Sequence, residues 1–259
     1  MSTEVTTRDD GAVRWIVLHR PESRNGLTVE VNQQLIAAFE AAGADETVRA
    51  IALFGAGGAF SSGLDLKAAM QAGMGDLEGN LRKYFHGLIR VIRGIGKPVV
   101  AVVDGSAVGY GCDLALACDL RFCSERARFG EIFIKRGLMP DGGSSFHLAR
   151  LVGLGRALEL MLTGDLVDAA EAYRIGLANR VVPVADVERA ASDYLARLAA
   201  CAPLAQRAVK EAVYGGLAGD LDAALETEAR GQLRLLASQD FMEGVSAFLA
   251  KRDPKFSGK

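Results

Sequence analysis

Residues 50–65 read AIALFGAGGAFSSGLD. The run Ala50 to Phe54 is apolar throughout and has the length of a fully buried strand. It passes directly into a glycine loop. Residues 98–113, PVVAVVDGSAVGYGCD, repeat the order: a strand from Pro98 to Val103, a second glycine loop, then a short helix from Cys112 to Ala117. Between the two lies an amphipathic helix from about Asn80 to Arg93, with Leu81, Phe85, Leu88 and Ile92 on one face. Ahead of them, Val13 to Leu18 reads as a strand, and Thr28 caps a helix that ends near Gly43. Leu120 to Cys123 is a further brief strand. Strands alternating with helices predict an α/β core.

Beyond Leu151 the pattern turns helical. Helices are expected over Ala157–Leu162, Ala169–Ile175 and Val187–Ala200, with one short strand at Arg180–Val182. From Pro203 to Phe248 the chain reads as helix only. Its apolar stripe (Leu221, Ala224, Leu225, Ala229, Leu233, Leu236) exceeds what a short helical hairpin buries, so it is expected to pack on a neighbouring subunit as well.

The chain has 259 residues, 50% hydrophobic and 24% charged, which excludes a disordered chain, a rod or a disulfide-stapled miniprotein. Glycine is the outlier at 30 residues, roughly 12% against about 7% in ordinary chains. Four glycines fall in 55–63, three in 105–111 and four in 130–143. A net charge of -2 supplies no global field for nucleic acid or an anionic membrane. Cys112, Cys118, Cys123 and Cys201 lack CxxC spacing, and the first three lie in apolar runs, so they read as reduced core residues. The opening residues MSTEVTTRDDGAVRW lack the basic and apolar regions of a leader, and no segment approaches the length of a membrane span. A cytoplasmic location is the resulting expectation.

Several glycine motifs fail on inspection. Gly109-Tyr110-Gly111 meets Leu114 where GxGxxG needs its third glycine, and Gly55-Ala56-Gly57 meets Phe60. Gly96-Lys97 precedes Pro98 instead of Ser or Thr. Ser106 does not form a GxSxG elbow. His19, His86 and His147 have no metal-ligand spacing and read as surface or packing residues. Two loops remain, 60–65 and 107–113, each joining a strand to a helix. If they are adjacent, one N–H from each can point at a single oxygen, the geometry of an oxyanion hole. The plainer alternative is that the glycines only make tight turns.

The run Arg20-Pro21-Glu22-Ser23-Arg24-Asn25-Gly26-Leu27, then Ala59 to Leu66, then Lys97 to Gly105 and its glycine loop, resembles the enoyl-CoA hydratase/isomerase (crotonase) family. Phe129-Gly130, Gly137 to Gly143, Leu162-Thr163-Gly164 and Lys251 to Phe256 extend the resemblance over nearly the whole chain. It implies a crotonase-like spiral of ββα units over residues 1–200 and a helical trimerisation region over 201–259. It also implies a homotrimer or dimer of trimers that acts on acyl-CoA and needs no cofactor beyond the coenzyme A of the substrate. The thioester oxygen would be held by the N–H groups of Leu64 and Tyr110. Tyr110 stands where the family commonly has glycine, a change that can also reshape the acyl pocket. Arg24, Ser62, Asp65, Lys67 and Phe256 would contact coenzyme A. The acyl pocket would draw on residues 68–79, with Met70 and Met74.

In hydratases of the family two glutamates hold a water. The first position is Asp113 here, and the second is Phe133, which cannot transfer a proton. Two other carboxylates can compensate. Glu131 would face the same side as Phe133 if that segment is extended. Asp141, in Pro140-Asp141-Gly142-Gly143, sits where family isomerases place a catalytic aspartate. A single base suffices to move a double bond, whereas hydration needs a water held between two groups. The reading therefore favours isomerase chemistry with Asp141 as base. Hydration, thioester hydrolysis and a non-catalytic CoA-binding role are the alternatives.

Overall fold

The computed structural model describes residues 4–73 and 75–259; Met74 and Met1–Thr3 lie outside them. The strands are β1 (Val5–Asp10), β2 (Val13–Leu18), β3 (Ala50–Gly55), β4 (Val99–Val103), β5 (Ser106–Val108), β6 (Leu120–Ser124), β7 (Arg128–Gly130), β8 (Val167–Asp168) and β9 (Arg180–Val182). One sheet has the order β1-β2-β3-β4-β6-β9, and a smaller one the order β5-β7-β8. In the large sheet only the β1–β2 pairing is antiparallel.

Both faces of this sheet are covered, which is why β3 and β4 read as continuous apolar runs. Side chains alternate across it. Ile16, Leu18, Ile51, Leu53, Ala101 and Val103 face one cluster, which includes Leu35 and Phe39 of helix Val29–Ala44 and Leu88 and Ile92 of helix His86–Gly94. Trp15, Ala52, Phe54, Val100, Val102 and Phe122 face the other, closed by Val187, Ala191 and Leu195 of helix Val187–Ala199. Thr28 caps the first helix as expected, its hydroxyl oxygen accepting from Val31 N at 3.2 Å. Cys112, Cys118 and Cys123 are buried, and Cys201 is exposed.

The helix expected from Asn80 to Arg93 is present as one unbroken run: helix Leu77–Asn80, a π-helical turn over Leu81–Phe85, and helix His86–Gly94. The Tyr110 hydroxyl donates to the Phe85 carbonyl at 2.7 Å, and a side chain entering the carbonyl ladder is an ordinary cause of such a widened turn. The segment after Glu131 is not extended: Ile132–Arg136 is a 3-10 helix with Glu131 as its N-cap residue. Glu131 and Phe133 therefore do not share a face by strand alternation. Finally, residues 144–152 form a helix that the periodicity did not suggest.

Helices Pro203–Gly216, Leu221–Leu236 and Gln239–Leu249 complete the chain. Asp119 ties the first of them to the sheet, accepting from Lys210 Nζ at 2.7 Å, from the Tyr214 hydroxyl, and from Val99 N at 2.7 Å. Leu221, Leu225, Leu233 and Leu236 of the predicted stripe are exposed in the single chain. Among the described residues no helix is long and apolar enough to cross a membrane.

Candidate active site

The two glycine loops are adjacent. Ser61 and Ala107 form an isolated parallel bridge, with Ser61 N donating to Ser106 O at 2.9 Å and Val108 N to Ser61 O at 3.1 Å. A side-chain carbon at Gly63, whose φ is +82°, would stand 2.7 Å from Val108 O and 3.0 Å from Tyr110 N. Backbone dimensions then place the Leu64 and Tyr110 nitrogens within about 5–6 Å of each other.

Both amides are free to donate. Leu64 lies in a parallel bridge to Leu27, in which Leu27 N donates to Gly63 O and Asp65 N to Leu27 O, so its own N–H points away from that partner. Tyr110 opens helix Tyr110–Ala117, where N–H groups have no intrahelical acceptor. Among the described residues neither Leu64 N nor Tyr110 N donates to a protein oxygen. The helix N-terminus adds partial positive charge at Tyr110. Tyr110 itself needs no positive φ, so the side chain at this position is compatible with the backbone role. Its ring packs edge-on against Phe85, with centroids 4.9 Å apart.

The carboxyl groups gather on the same side. Asp113, one helical turn beyond Tyr110, is fully buried and accepts from Gly142 N at 3.0 Å and Ser144 N at 3.0 Å, and from the Ser144 hydroxyl. That hydroxyl also lies 2.7 Å from Glu131 Oε1. Burial raises the Asp113 carboxyl, with the nearby Asp141 charge adding to the shift and the Ser144 and Gly142 donors opposing it. Burial and the charge of Asp113 raise Glu131 further. Asp141, held in the turn between Pro140 and Gly142, is only partly buried, and its Oδ1 has no hydrogen-bond partner. Its carboxyl too is raised by burial, against an opposing pull from His86. His86 Nε2 donates to the Asp141 carbonyl at 2.9 Å.

Leu64, Tyr110, Asp113, Glu131 and Asp141 are thus linked through contacts of one small region. The residues expected at coenzyme A are less united. Arg24 is exposed, and its carbonyl accepts from Ser62 N at 2.9 Å, so these two sit side by side. Lys67 is exposed on helix Leu66–Ala72. The Asp65 carboxylate is occupied: it caps that helix through Ala68 N at 3.0 Å and pairs with Arg20 at 3.1 Å. Phe256 packs beside Gly244 in the C-terminal tail, which is fixed by Ser257 N and Gly258 N on Asp240. Among the described residues no hydrogen bond joins that tail to Arg24, Ser62 or Lys67.

Sequence reasoning missed three groups. Ser144, unassigned there, bridges two carboxyls. His86, read as a packing or surface residue, holds the loop that carries Asp141. Asn25, left-handed at φ 57°, ties the Arg20–Leu27 segment to the first glycine loop through Ala56 O at 2.8 Å and Ala59 O at 2.7 Å. Only Asn25 carried a local signal, as the residue type that tolerates this conformation best after glycine.

The model for the family Enoyl-CoA hydratase/isomerase matches residues 8–259. A probable enoyl-CoA hydratase of Rhodobacter capsulatus is 41% identical over 244 residues, covering 94% of each chain. The 1,2-epoxyphenylacetyl-CoA isomerase of Escherichia coli is 34% identical over 250 residues, covering 95% of each. The crystal structure of an enoyl-CoA hydratase from Bacillus anthracis superposes with a TM-score of 0.95 at 31% identity, over 99% of this chain and 100% of that one.

Proposed function

The chain belongs to the enoyl-CoA hydratase/isomerase family and is an enzyme of that class with the crotonase fold, and on this premise we propose that it shifts a carbon–carbon double bond in an enoyl-CoA thioester. The observation that carries the reading is the difference among its carboxyls. Asp113 has both oxygens engaged by the 142–144 backbone and the Ser144 hydroxyl, whereas Asp141 keeps an unpartnered oxygen.

On this reading the thioester oxygen accepts from Leu64 N–H and Tyr110 N–H. The Asp141 carboxylate takes a proton from C2 of a 3-enoyl thioester, and the electrons move into a dienolate whose charge rests on that oxygen. The same carboxyl then returns its proton to C4, giving the 2-enoyl thioester. Each preorganised donor is worth roughly 3–4 kcal/mol to such a step. Burial supports the role of Asp141, because a carboxyl raised toward neutrality is a stronger base when ionised. No resident cofactor is required. Arg24, Ser62 and Lys67 are proposed to meet the coenzyme A moiety, and the exposed stripe of the C-terminal helices to pack in a homotrimer or dimer of trimers.

Water addition to a 2-enoyl thioester is the second reading. It is favoured by the hydratase names of the Rhodobacter capsulatus relative and of the crotonyl-CoA hydratase of Syntrophomonas wolfei, 34% identical over 249 residues. A panel of 2-enoyl- and 3-enoyl-CoA substrates separates the two. Conversion of 3-enoyl to 2-enoyl is expected, and Asp141→Asn should lower its kcat by about 10²–10⁴-fold. Unchanged turnover in a folded Asp141→Asn variant refutes the assignment. Loss of the 2-enoyl absorbance without isomerisation selects hydration, and release of free thiol selects hydrolysis.

A further inference from the structure

Ser144 has one hydroxyl proton, but its Oγ lies within hydrogen-bond distance of two carboxyl oxygens, Asp113 Oδ1 and Glu131 Oε1. One proton cannot serve two carboxylates. At one of the two contacts the carboxyl is therefore the donor, which means that it is protonated.

The surroundings decide which. Asp113 receives the amides of Gly142 and Ser144, two donors that favour its ionised form. Glu131 receives no backbone donor, is 1% exposed, and leaves Oε2 buried without a partner. The titratable groups around the cluster add no positive charge. Cys112 and Tyr110, on the helix of Asp113, are both held neutral by burial, and the Cys112 thiol, a weak donor, is the one of them that faces Glu131. Asp141 contributes like charge from the turn, and His86 reaches only the carbonyl side of that turn.

We propose that Glu131 is a neutral carboxylic acid near neutral pH, donating to Ser144 Oγ while the Ser144 hydroxyl donates to ionised Asp113. This chain then acts as a clamp. Asp113 grips the turn on both sides of Gly143, at Gly142 N and Ser144 N, and so fixes the backbone from which Asp141 projects. Glu131 and Ser144 are positioning residues that act through Asp113, with no part in proton transfer to substrate. The consequence for turnover rests on the reading of Asp141 as base; the protonation state does not.

The test has a spectroscopic arm and a kinetic arm. Infrared difference spectra of the unliganded protein at pH 7, wild type minus Glu131→Gln, should show a protonated-carboxyl carbonyl band that shifts in D2O. A band that persists in Glu131→Gln and vanishes in Asp113→Asn, or no band at all, overturns the proposal. Glu131→Gln preserves a neutral group of the same shape and should fold and melt close to the wild type at pH 6; a variant that fails to fold also overturns it. In steady-state assays, Glu131→Ala and Ser144→Ala should lower kcat by about 10- to 100-fold with KM little changed. Glu131→Gln should restore kcat to within about threefold of wild type. Glutamine as damaging as alanine would mean that Glu131 ionises during turnover, against the proposal. If Asp141→Asn keeps full activity, the reading of the base fails, while the infrared band still reports on the clamp.

Discussion

Gly63→Ala tests the reading of the glycine loops most directly. The added carbon would lie 2.7 Å from Val108 O and 3.0 Å from Tyr110 N, both backbone atoms that cannot swing aside. The loops must separate by a few tenths of an ångström or more, and they hold the two N–H groups proposed to share one oxygen. Oxyanion stabilisation depends on donors already placed where charge develops, and removing one costs about 10²–10³-fold in kcat, or about 3–4 kcal/mol. The positive φ of +82° adds roughly 1–2 kcal/mol of strain to the folded state. Gly11→Ala is the control, because it shares the positive φ, at +59°, but meets nothing within 4 Å. The assay pairs kcat for the 3-enoyl thioester with the urea midpoint of each variant. Gly11→Ala should lose stability alone, and Gly63→Ala both stability and at least a hundredfold in kcat. A folded Gly63→Ala enzyme with kcat within threefold of wild type would refute the two-donor geometry.

Two further outcomes concern stability. Burial and the neighbouring Asp113 charge hold the Glu131 carboxyl above the ordinary carboxylate range in the folded protein, so its contribution is fully present below about pH 4.5 and is lost as pH rises through the raised folded value. Urea midpoints between about pH 5 and 8.5 should therefore decline less steeply in Glu131→Gln than in the wild type; parallel declines would contradict this. Asp119→Ala would leave Lys210 largely buried without its partner and should cost about 3 kcal/mol or more in urea unfolding, with Asp119→Asn milder because its one carbonyl oxygen still accepts from Val99 N while its NH2 donates to the Tyr214 oxygen.

The core strands were legible because a parallel strand covered on both faces has to be apolar along its length, and Ala50–Phe54 and Val99–Val103 are. The glycine loops were legible because each follows such a strand. The edge strand Val5–Asp10 was not, since five of its six residues are exposed and its charges mask any alternation; the Asp10-Gly11 pair at its hairpin was the only local cue. Position alone suggested only that one N–H from each glycine loop could share an oxygen; that these are Leu64 and Tyr110 came from the family resemblance. Ser144 could not be singled out. Its role arises from Asp113, 31 residues earlier, and Glu131, 13 residues earlier, and nothing in a serine after two glycines announces either partner. Glu131 could be singled out as a nearby carboxyl, but its link to Ser144 could not, because its backbone leaves the strand and enters a 3-10 turn one residue later.

On the proposed reading the site divides its labour between backbone and side chains, and the division bears on which reaction it runs. The proposed electrophilic half consists of two amides fixed by loop geometry, and it would serve any reaction that places charge on a thioester oxygen. The proposed proton-transfer half is carried by side chains and is free to change. Here Phe133 stands where the resemblance puts the second glutamate, and Asp113 is shorter than the first by one methylene. That shortening has a geometric counterpart: Asp113 is withdrawn onto the amides of the turn beside it. A carboxylate with three of its roughly four lone-pair sites taken by two backbone amides and the Ser144 hydroxyl holds a water poorly, because one site at most is left to orient it. What it gains is control over the turn, and through the turn over Asp141. On the proposed reading, the loss of a water-holding pair and the gain of a well-placed single base are one structural change. A 1,3-proton shift is the reaction that such a change still permits, since the carboxyl that removes the proton also returns it.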